Sequence, residues 1–359
     1  MTRLRVGLIG LGEVAQVMHL PALRRLQDRF EVTGLHDISP SVLARIAARW
    51  NVAATYASAE DLVAAPDVDA VLVLSPDQHH HGHVAAALVA GKHVLVEKPA
   101  ALTRNDVADL AARADAAGRV VMVGYMRRYA PAFLAARDRL ADLGPITHAD
   151  LRDYMCEGPW FHRQTTDVIY PAGDIPKEAS AASRALRSAM MREICGADAS
   201  PALLLGYELL TGVASHSISA MRDLFGMPAR VAAAHVSAGG NHLVAALDYG
   251  DFSVTYQYLV DNLARFDGGF DVYTDTKRLS LAFPTPYVRN LPMTVEIQSV
   301  TEAGNETTLL GPFYKDAFVA ELEAFHAAVT GGGPVLSSLT DSIDDFRIFE
   351  EIVARLRGA

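Results

Sequence analysis

The sequence has little that would staple it together or carry it into a membrane. It holds only two cysteines in 359 residues, Cys156 and Cys195. They allow at most one disulfide, and their spacing matches no zinc pattern, so a reduced, cytoplasmic chain is the expectation. No stretch reaches the roughly 18 consecutive apolar residues of a membrane helix. A secretory leader is not expected either: the apolar run at 6–11 is short, broken by glycines and followed by Glu13. A basic excess is also missing. Asp and Glu number 42 against 32 Lys and Arg, a formal charge of −10, which repels nucleic acid and anionic membranes on average. Neither repeats nor a low-complexity tail is present. What remains is an ordinary globular balance, 50% hydrophobic and 21% charged, with length for about two domains of roughly 150 residues.

The first third alternates two periodicities. Apolar runs at 4–9, 31–36, 70–74, 94–96 and 119–124 read as buried strands, and the stretches at 14–28, 41–50, 80–90 and 104–117 have helical spacing. Pro21 is expected to kink or shorten the first helix. Such alternation predicts a doubly wound parallel sheet. Past residue 145 the pattern changes. Residues 152–202 look irregular apart from a helix near 177–195. Successive strands follow at 231–236, 242–249, 253–260, 270–274 and 279–283, with turns at Gly239-Gly240 and Gly250-Asp251, predicting an antiparallel sheet. Two amphipathic helices, at 315–329 and 341–356, flank the break at Gly331-Gly332-Gly333-Pro334.

Gly10-Leu11-Gly12-Glu13-Val14-Ala15 follows the first strand and opens the first helix. Gly10 permits the tight turn, Gly12 lets the backbone approach a pyrophosphate, and Ala15 lets the helix pack closely on the strand. Asp37 ends the second strand about 20 residues on, where a carboxylate accepts hydrogen bonds from the adenosine ribose. That charge repels a 2′-phosphate, and Ile38, Ser39 and Pro40 offer no cation to hold one. The expected cofactor is therefore NAD, with NADP less favoured. The competing structural reading makes the glycines a plain turn and Asp37 a helix cap.

Two further segments narrow the identity. Ser75-Pro76-Asp77-Gln78-His79-His80 follows the third strand, and Ala90-Gly91-Lys92-His93-Val94-Leu95-Val96-Glu97-Lys98-Pro99 runs through the fourth. With Gly124-Tyr125-Met126-Arg127-Arg128-Tyr129, these make the chain resemble the glucose–fructose oxidoreductase / inositol dehydrogenase (Gfo/Idh/MocA) family. That family shows Thr/Ser-Pro-Asn-x-x-His, Ala-Gly-Lys-His-Val, Glu-Lys-Pro and Gly-x-x-Arg-Arg-Phe. The likeness is strong over 4–135, extends to 214–226 and the C-terminal helices, and is poor over 152–205.

The resemblance implies an α/β protein: a Rossmann domain over 1–124, then an α+β domain over 125–359 with a large, mostly antiparallel open sheet. The second domain would bind substrate and make a homodimer or homotetramer through its sheet, with the C-terminal helix packing back on the first. The cofactor would lie against Gly10, Gly12, Glu13, Val14, Ala15, Asp37, Ser75, Pro76, His80, Glu97 and Lys98. Lys98 has a physical rationale of its own. It closes a parallel strand at the ligand-binding edge, Pro99 keeps it out of helical conformation, and an ammonium there stabilises a developing alkoxide.

His216 matches the family's proton-exchanging histidine, but the aspartate expected four residues earlier is replaced by Gly212. Glu208, Asp167 and Tyr125 are open alternatives for the missing carboxylate. Tyr125, Arg127, Trp160, His162, Arg163 and Asp167 are candidates for the substrate pocket, and the last four equally for a subunit contact. The run His79-His80-His81 is no metal motif, because successive helical side chains diverge by about 100°. His80 matches the family position near the nicotinamide, and its neighbours are expected in solvent. The leading expectation is hydride transfer between NAD and a secondary alcohol of a sugar, inositol or related polyol. Alternatives are a redox-neutral or epimerising sugar enzyme with tightly held NAD, and a nucleotide-binding protein that has lost catalysis.

Overall fold

In a computed structural model, which describes residues 3–358, the first part of the chain runs through five strands and five helices. They are β1 (Leu4–Ile9), α1 (Leu20–Arg25), β2 (Phe30–His36), α2 (Pro40–Trp50), α3 (Ala59–Ala64), β3 (Ala70–Val73), α4 (His80–Val89), β4 (His93–Val96), α5 (Arg104–Ala117) and β5 (Val121–Val123). The strands pair in parallel in the order β2-β1-β3-β4-β5. Every residue of β3 and β5 is buried, as a parallel sheet covered on both faces requires. The order reverses between β1 and β3, and this switch point is where open α/β sheets leave a crevice.

The helix after β1 is shorter than its periodicity suggests. It opens at Glu13, widens into a π turn over Ala15–His19, and ends at Arg25, not at 28. Leu20 donates its N–H five residues back to Ala15. Pro21 brings no N–H and its ring would crowd the preceding turn, so a wider turn just ahead of it relieves the conflict.

The rest of the chain comprises α6 (Pro131–Arg139), β6 (His148–Met155), α7 (Pro159–His162), α8 (Lys177–Cys195), α9 (Pro201–Leu209), α10 (Ser215–Phe225), seven strands and two helices. The strands are β7 (Arg230–Val236), β8 (His242–Asp248), β9 (Ser253–Val260), β10 (Phe266–Tyr273), β11 (Lys277–Phe283), β12 (Met293–Thr301) and β13 (Gly304–Phe313). The helices are α11 (Ala317–Gly331) and α12 (Leu339–Arg357). The sheet order is β13-β12-β11-β10-β6-β9-β8-β7, antiparallel throughout except for the parallel pair β6–β9. Residues 152–155, expected to be irregular, instead end the strand at its centre. Asp153, fully buried and paired with Arg127, interrupts the apolar alternation that would have marked β6. The strands β12 and β13 were also unanticipated. Most side chains of β13 are exposed, so no hydrophobic face advertises it.

Two compact units result. One joins the residues up to Tyr125 with Thr165–Met191 and Phe318–Ile343; the other joins Met126–Gln164, Arg192–Ala317 and the residues from Asp344 onward. In the first unit, Ser337 closes the β5 edge: it accepts the Val123 N–H at 2.8 Å and donates its hydroxyl to the Val123 carbonyl at 2.6 Å. In the second, β6, β8 and β9 alternate buried and half-buried positions, and α6 and α10 pack against the sheet. Among the described residues, no helix is long and apolar enough to cross a membrane.

Candidate active site

Parallel pairing brings the ends of β1 to β5 to one edge of the first unit's sheet, and the sequence motifs sit there. Gly10 has φ +90°, and a Cβ on it would lie 2.7 Å from the Leu74 carbonyl carbon, so only glycine fits. At Gly12 nothing lies within 4 Å of the corresponding position, which leaves open backbone at the mouth of the following helix. Asp37 ties the turns after β1 and β2 together, accepting the Leu11 N–H on one oxygen at 2.7 Å and the Ser39 N–H on the other at 2.8 Å.

Beside this turn lies a cleft of about 650 Å³, within the range of small-molecule sites. Its floor is Ile9, Gly10, Asp37, Ile38, Ser75, Pro76, His79 and His83. Its wall is Ile175, Ala179, Ala182, Ser183 and Leu186, from α8 and the segment leading into it. The sequence marked the helix but not its partner, because nothing local in an alanine-rich helix says which sheet it will cover. Side chains anchor it. Gln16 holds Ile169 through both its amide groups at 2.8 Å, and the Tyr170 hydroxyl donates to Glu13 at 2.8 Å. Burial, the Glu13 acceptor and its charge push the Tyr170 phenol up to about 12.

The histidines near this edge are engaged rather than solvated, which corrects the expectation for His79 and His81. The His79 ring meets the Ser183 hydroxyl at 2.8 Å, and His81 meets Asp109 at 2.8 Å. His80 is buried with both ring nitrogens 2.7 Å from carbonyl oxygens, those of Ser75 and Pro99, so it stitches the loop after β3 to the loop after β4. His83 meets the Ser75 hydroxyl at 2.9 Å. Burial, then the neighbouring His79, His80 and His36, lower its pKa from 6.5 to about 4. Serine hydroxyls and a helix-borne carboxylate supplied these partners; consecutive histidines alone carry no signal of them.

Lys98 is half-buried at the end of β4, and its peptide bond to Pro99 is cis. Beneath it, the buried Glu97 receives His19 on one oxygen at 2.8 Å and the Lys98 backbone N–H on the other at 3.1 Å. Burial alone would raise the Glu97 pKa, but the His19 bond and charge and the Lys98 charge outweigh it and hold the carboxyl below its ordinary value. His19, which the sequence did not single out, thus keeps a charged carboxylate under the strand end.

Of the remaining candidates, Tyr125 follows β5 at this same edge, and the others belong to other elements. Tyr125 is fully buried at the end of the first unit. Arg127, in the second, donates to Asp153 and Ser217 at 2.8 Å, with its guanidinium 4.6 Å from the Phe283 ring centre. The Tyr256 phenol also donates to Asp153 at 3.1 Å, and burial plus that negative charge keep it protonated far above its usual range. His162 is buried with its ring 5.8 Å from Tyr287, whereas Trp160 is exposed and Arg163 stacks on it at 4.1 Å. The Asp167 carbonyl accepts from Arg49 at 2.6 Å in the first unit. His216 lies in the first turn of α10, which continues α9 through a π turn, Leu210–Ala214. Gly212 sits in that turn, with no atom within 4 Å of an added Cβ. Among the described residues no cluster of three or more His, Cys, Asp or Glu could hold a metal ion.

Residues 4–125 match the model of the oxidoreductase family with an NAD-binding Rossmann fold, GFO_IDH_MocA. An inositol 2-dehydrogenase of Acidothermus cellulolyticus is 36% identical over 168 residues, covering 46% of this chain and 49% of that protein. The chain thus spans about half the length, or less, of the curated relatives it matches. Over the whole fold, an NAD binding oxidoreductase from Klebsiella pneumoniae superposes with a TM-score of 0.74 at 18% identity, covering 99% of this chain and 98% of that one. UDP-N-acetylglucosamine 3-dehydrogenase GnnA from Acidithiobacillus ferrooxidans does so with a TM-score of 0.72 at 18% identity, covering 100% and 99%.

Proposed function

We propose that this chain, whose residues 4–125 match the model of the NAD-binding Rossmann oxidoreductase family GFO_IDH_MocA, is an NAD-dependent dehydrogenase acting on a secondary alcohol, or the matching carbonyl, of a sugar, inositol or related polyol. One observation carries the reading: the Gly10–Gly12 turn, Asp37, Ser75 and Lys98 stand along the same sheet edge, with a cleft of about 650 Å³ beside the first three. The names of relatives such as the inositol 2-dehydrogenase support the substrate class. Bound NAD supplies the hydride acceptor.

The chain's own residues do the rest. The open backbone at Gly12 and the helix mouth at Glu13, Val14 and Ala15 face a pyrophosphate. Asp37 spends one lone-pair direction of each oxygen on backbone N–H groups and keeps others for ribose hydroxyls. Ser75, Pro76 and His80 flank the nicotinamide end, and the buried Glu97 sets the field beneath Lys98. The Lys98 ammonium orients the substrate hydroxyl and stabilises alkoxide character as the hydride leaves. His216 exchanges the hydroxyl proton, with Tyr125, Arg127, Trp160 and His162 as the candidate substrate contacts. Residues 125–359 bind substrate and assemble a homodimer or homotetramer through the exposed sheet face, where Val300 and Leu309 are each 61% exposed. Light scattering that finds a monomer at micromolar concentration would refute that assembly.

Incubation with NAD or NADP and a panel of sugars, inositols and sugar acids, followed by absorbance of the reduced cofactor, tests the activity. A polyol-dependent signal with NAD is the expected result, and no signal with any member of the panel contradicts it. Gly212 favours a second reading, a nucleotide-binding protein without catalysis, since glycine stands where the family resemblance expects an aspartate. Dinucleotide binding with no turnover would support that reading instead.

A further inference from the structure

The strongest feature outside the proposed chemistry is a carboxylate held against the N-terminus of α2. Asp174 accepts the Ser39 hydroxyl at 2.8 Å on one oxygen and the Ser41 N–H at 2.7 Å on the other. The Ser41 hydroxyl accepts the Ala172 N–H at 3.2 Å, so the segment approaches α2 through two residues. Ser39 caps α2, accepting the Val42 N–H at 3.3 Å, and donates its own N–H to Asp37. A backbone N–H in the first turn of a helix, a hydroxyl and the positive end of the helix dipole make an anion seat. That seat begins two residues beyond Asp37, the residue proposed to hold the adenosine ribose. Here the seat already holds an anion from the chain itself. Its hold is firm: the Ser41 backbone bond, with the bonds to Ser39 and Ser41, keeps the Asp174 carboxyl down at about 2.

We propose that Asp174 is the cofactor-specificity residue of this protein, filling with its carboxylate the seat that the 2′-phosphate of NADP would need and so excluding NADP. This rests on the dinucleotide reading above and deepens it. A ribose 2′-hydroxyl brings no charge to the seat, so NAD leaves the Asp174 contacts intact. A 2′-phosphate would have to displace the carboxylate or stand beside it, with two like charges competing for one N–H and one hydroxyl. The Asp37 charge adds to the repulsion, yet it is partly spent on the Leu11 and Ser39 N–H groups. Specificity would therefore come from a residue far along the chain, on a segment with no part in the glycine motif.

Titrating NADH and NADPH into the full-length protein, and following reduced-cofactor fluorescence without substrate, tests this by binding alone. Wild type is expected to prefer NADH. Asp174→Ala should strengthen NADPH binding about tenfold, the size of one relieved like-charge contact, while NADH affinity changes about twofold or less. Asp174→Asn, which keeps an acceptor oxygen and removes the charge, should move the same way by a smaller factor. It guards against a loss of folding in the alanine variant, which circular dichroism would report. An unchanged NADPH-to-NADH affinity ratio in both folded variants overturns the inference and leaves the dinucleotide site standing. Wild type that binds NADPH as tightly as NADH overturns it too. Failure of folded wild type to bind either dinucleotide removes the underlying reading and the inference with it.

Discussion

The first unit's sheet edge carries Lys98 and the second unit's helix α10 carries His216, the two residues proposed for the chemistry, and the two regions are built differently. At the parallel sheet edge, candidate groups from distant points of the sequence converge because strand ends must. Gly10, Asp37, Ser75 and Lys98 follow β1, β2, β3 and β4 in turn. In the second unit, two of the candidate substrate contacts, Arg127 and His162, are held within the packing. Arg127 is neutralised by Asp153 inside the protein, and His162 is buried against Tyr287. A charged residue in a motif thus stands half-buried at a strand end in one unit, as Lys98 does, and in a buried ion pair in the other, as Arg127 does.

Breaking each side separately tests that contrast. Lys98→Ala should have the largest effect on turnover, a loss of about a hundredfold to a thousandfold in kcat, with a far smaller loss of NADH binding by fluorescence. A loss of binding equal to the loss of rate would make Lys98 a structural residue instead. Next comes Asp153→Ala, which leaves the Arg127 guanidinium buried beside Phe283 without its carboxylate. Stability measured by denaturant should fall by about 3–5 kcal/mol, and a change below about 1 kcal/mol would mean the pair is dispensable.

The cleft floor offers a pH test. The pKa of His83 is depressed from 6.5 to about 4 in the folded protein, so the unfolded chain takes up its proton first as pH falls. Its contribution is therefore constant above pH 6.5 and is lost progressively between about 6.5 and 4, by at most about 3 kcal/mol. His83→Gln should flatten the melting temperature over that window, and an identical pH profile would contradict the assignment. The smallest effect expected is Gly212→Asp. The added side chain meets no atom within 4 Å of its Cβ, so the fold should tolerate it. A carboxylate four residues before His216 should raise kcat about tenfold or less and shift the pH–rate profile, if His216 exchanges the proton. A folded variant with an unchanged profile would separate His216 from the chemistry.

Much of this was legible in the sequence where local physics is decisive. Period-two and continuous apolar runs marked β1 to β5, and the helix at 177–195 fell where its spacing put it. The glycine turn was readable because φ +90° at Gly10, against the Leu74 backbone, admits no other residue. What escaped was non-local. The strand β6 hid behind the buried Asp153, whose partner Arg127 lies 26 residues away. The strands β12 and β13 lack a buried face strong enough to show, and His79 and His81 found their partners only once Ser183 and Asp109 were brought to them.

By itself, then, the sequence determined an alternating α/β unit with a glycine turn after β1, a carboxylate after β2 and a lysine after β4, because backbone sterics and hydrophobic period act within a few residues. Only the tertiary structure decided which groups are spent on packing, and that a segment around Asp174 returns to the β2–α2 turn to build the cleft wall. The physical reason is that hydrogen bonds and ion pairs across 100 or more residues, such as Asp174 to Ser39, follow from chain topology and leave no periodic trace.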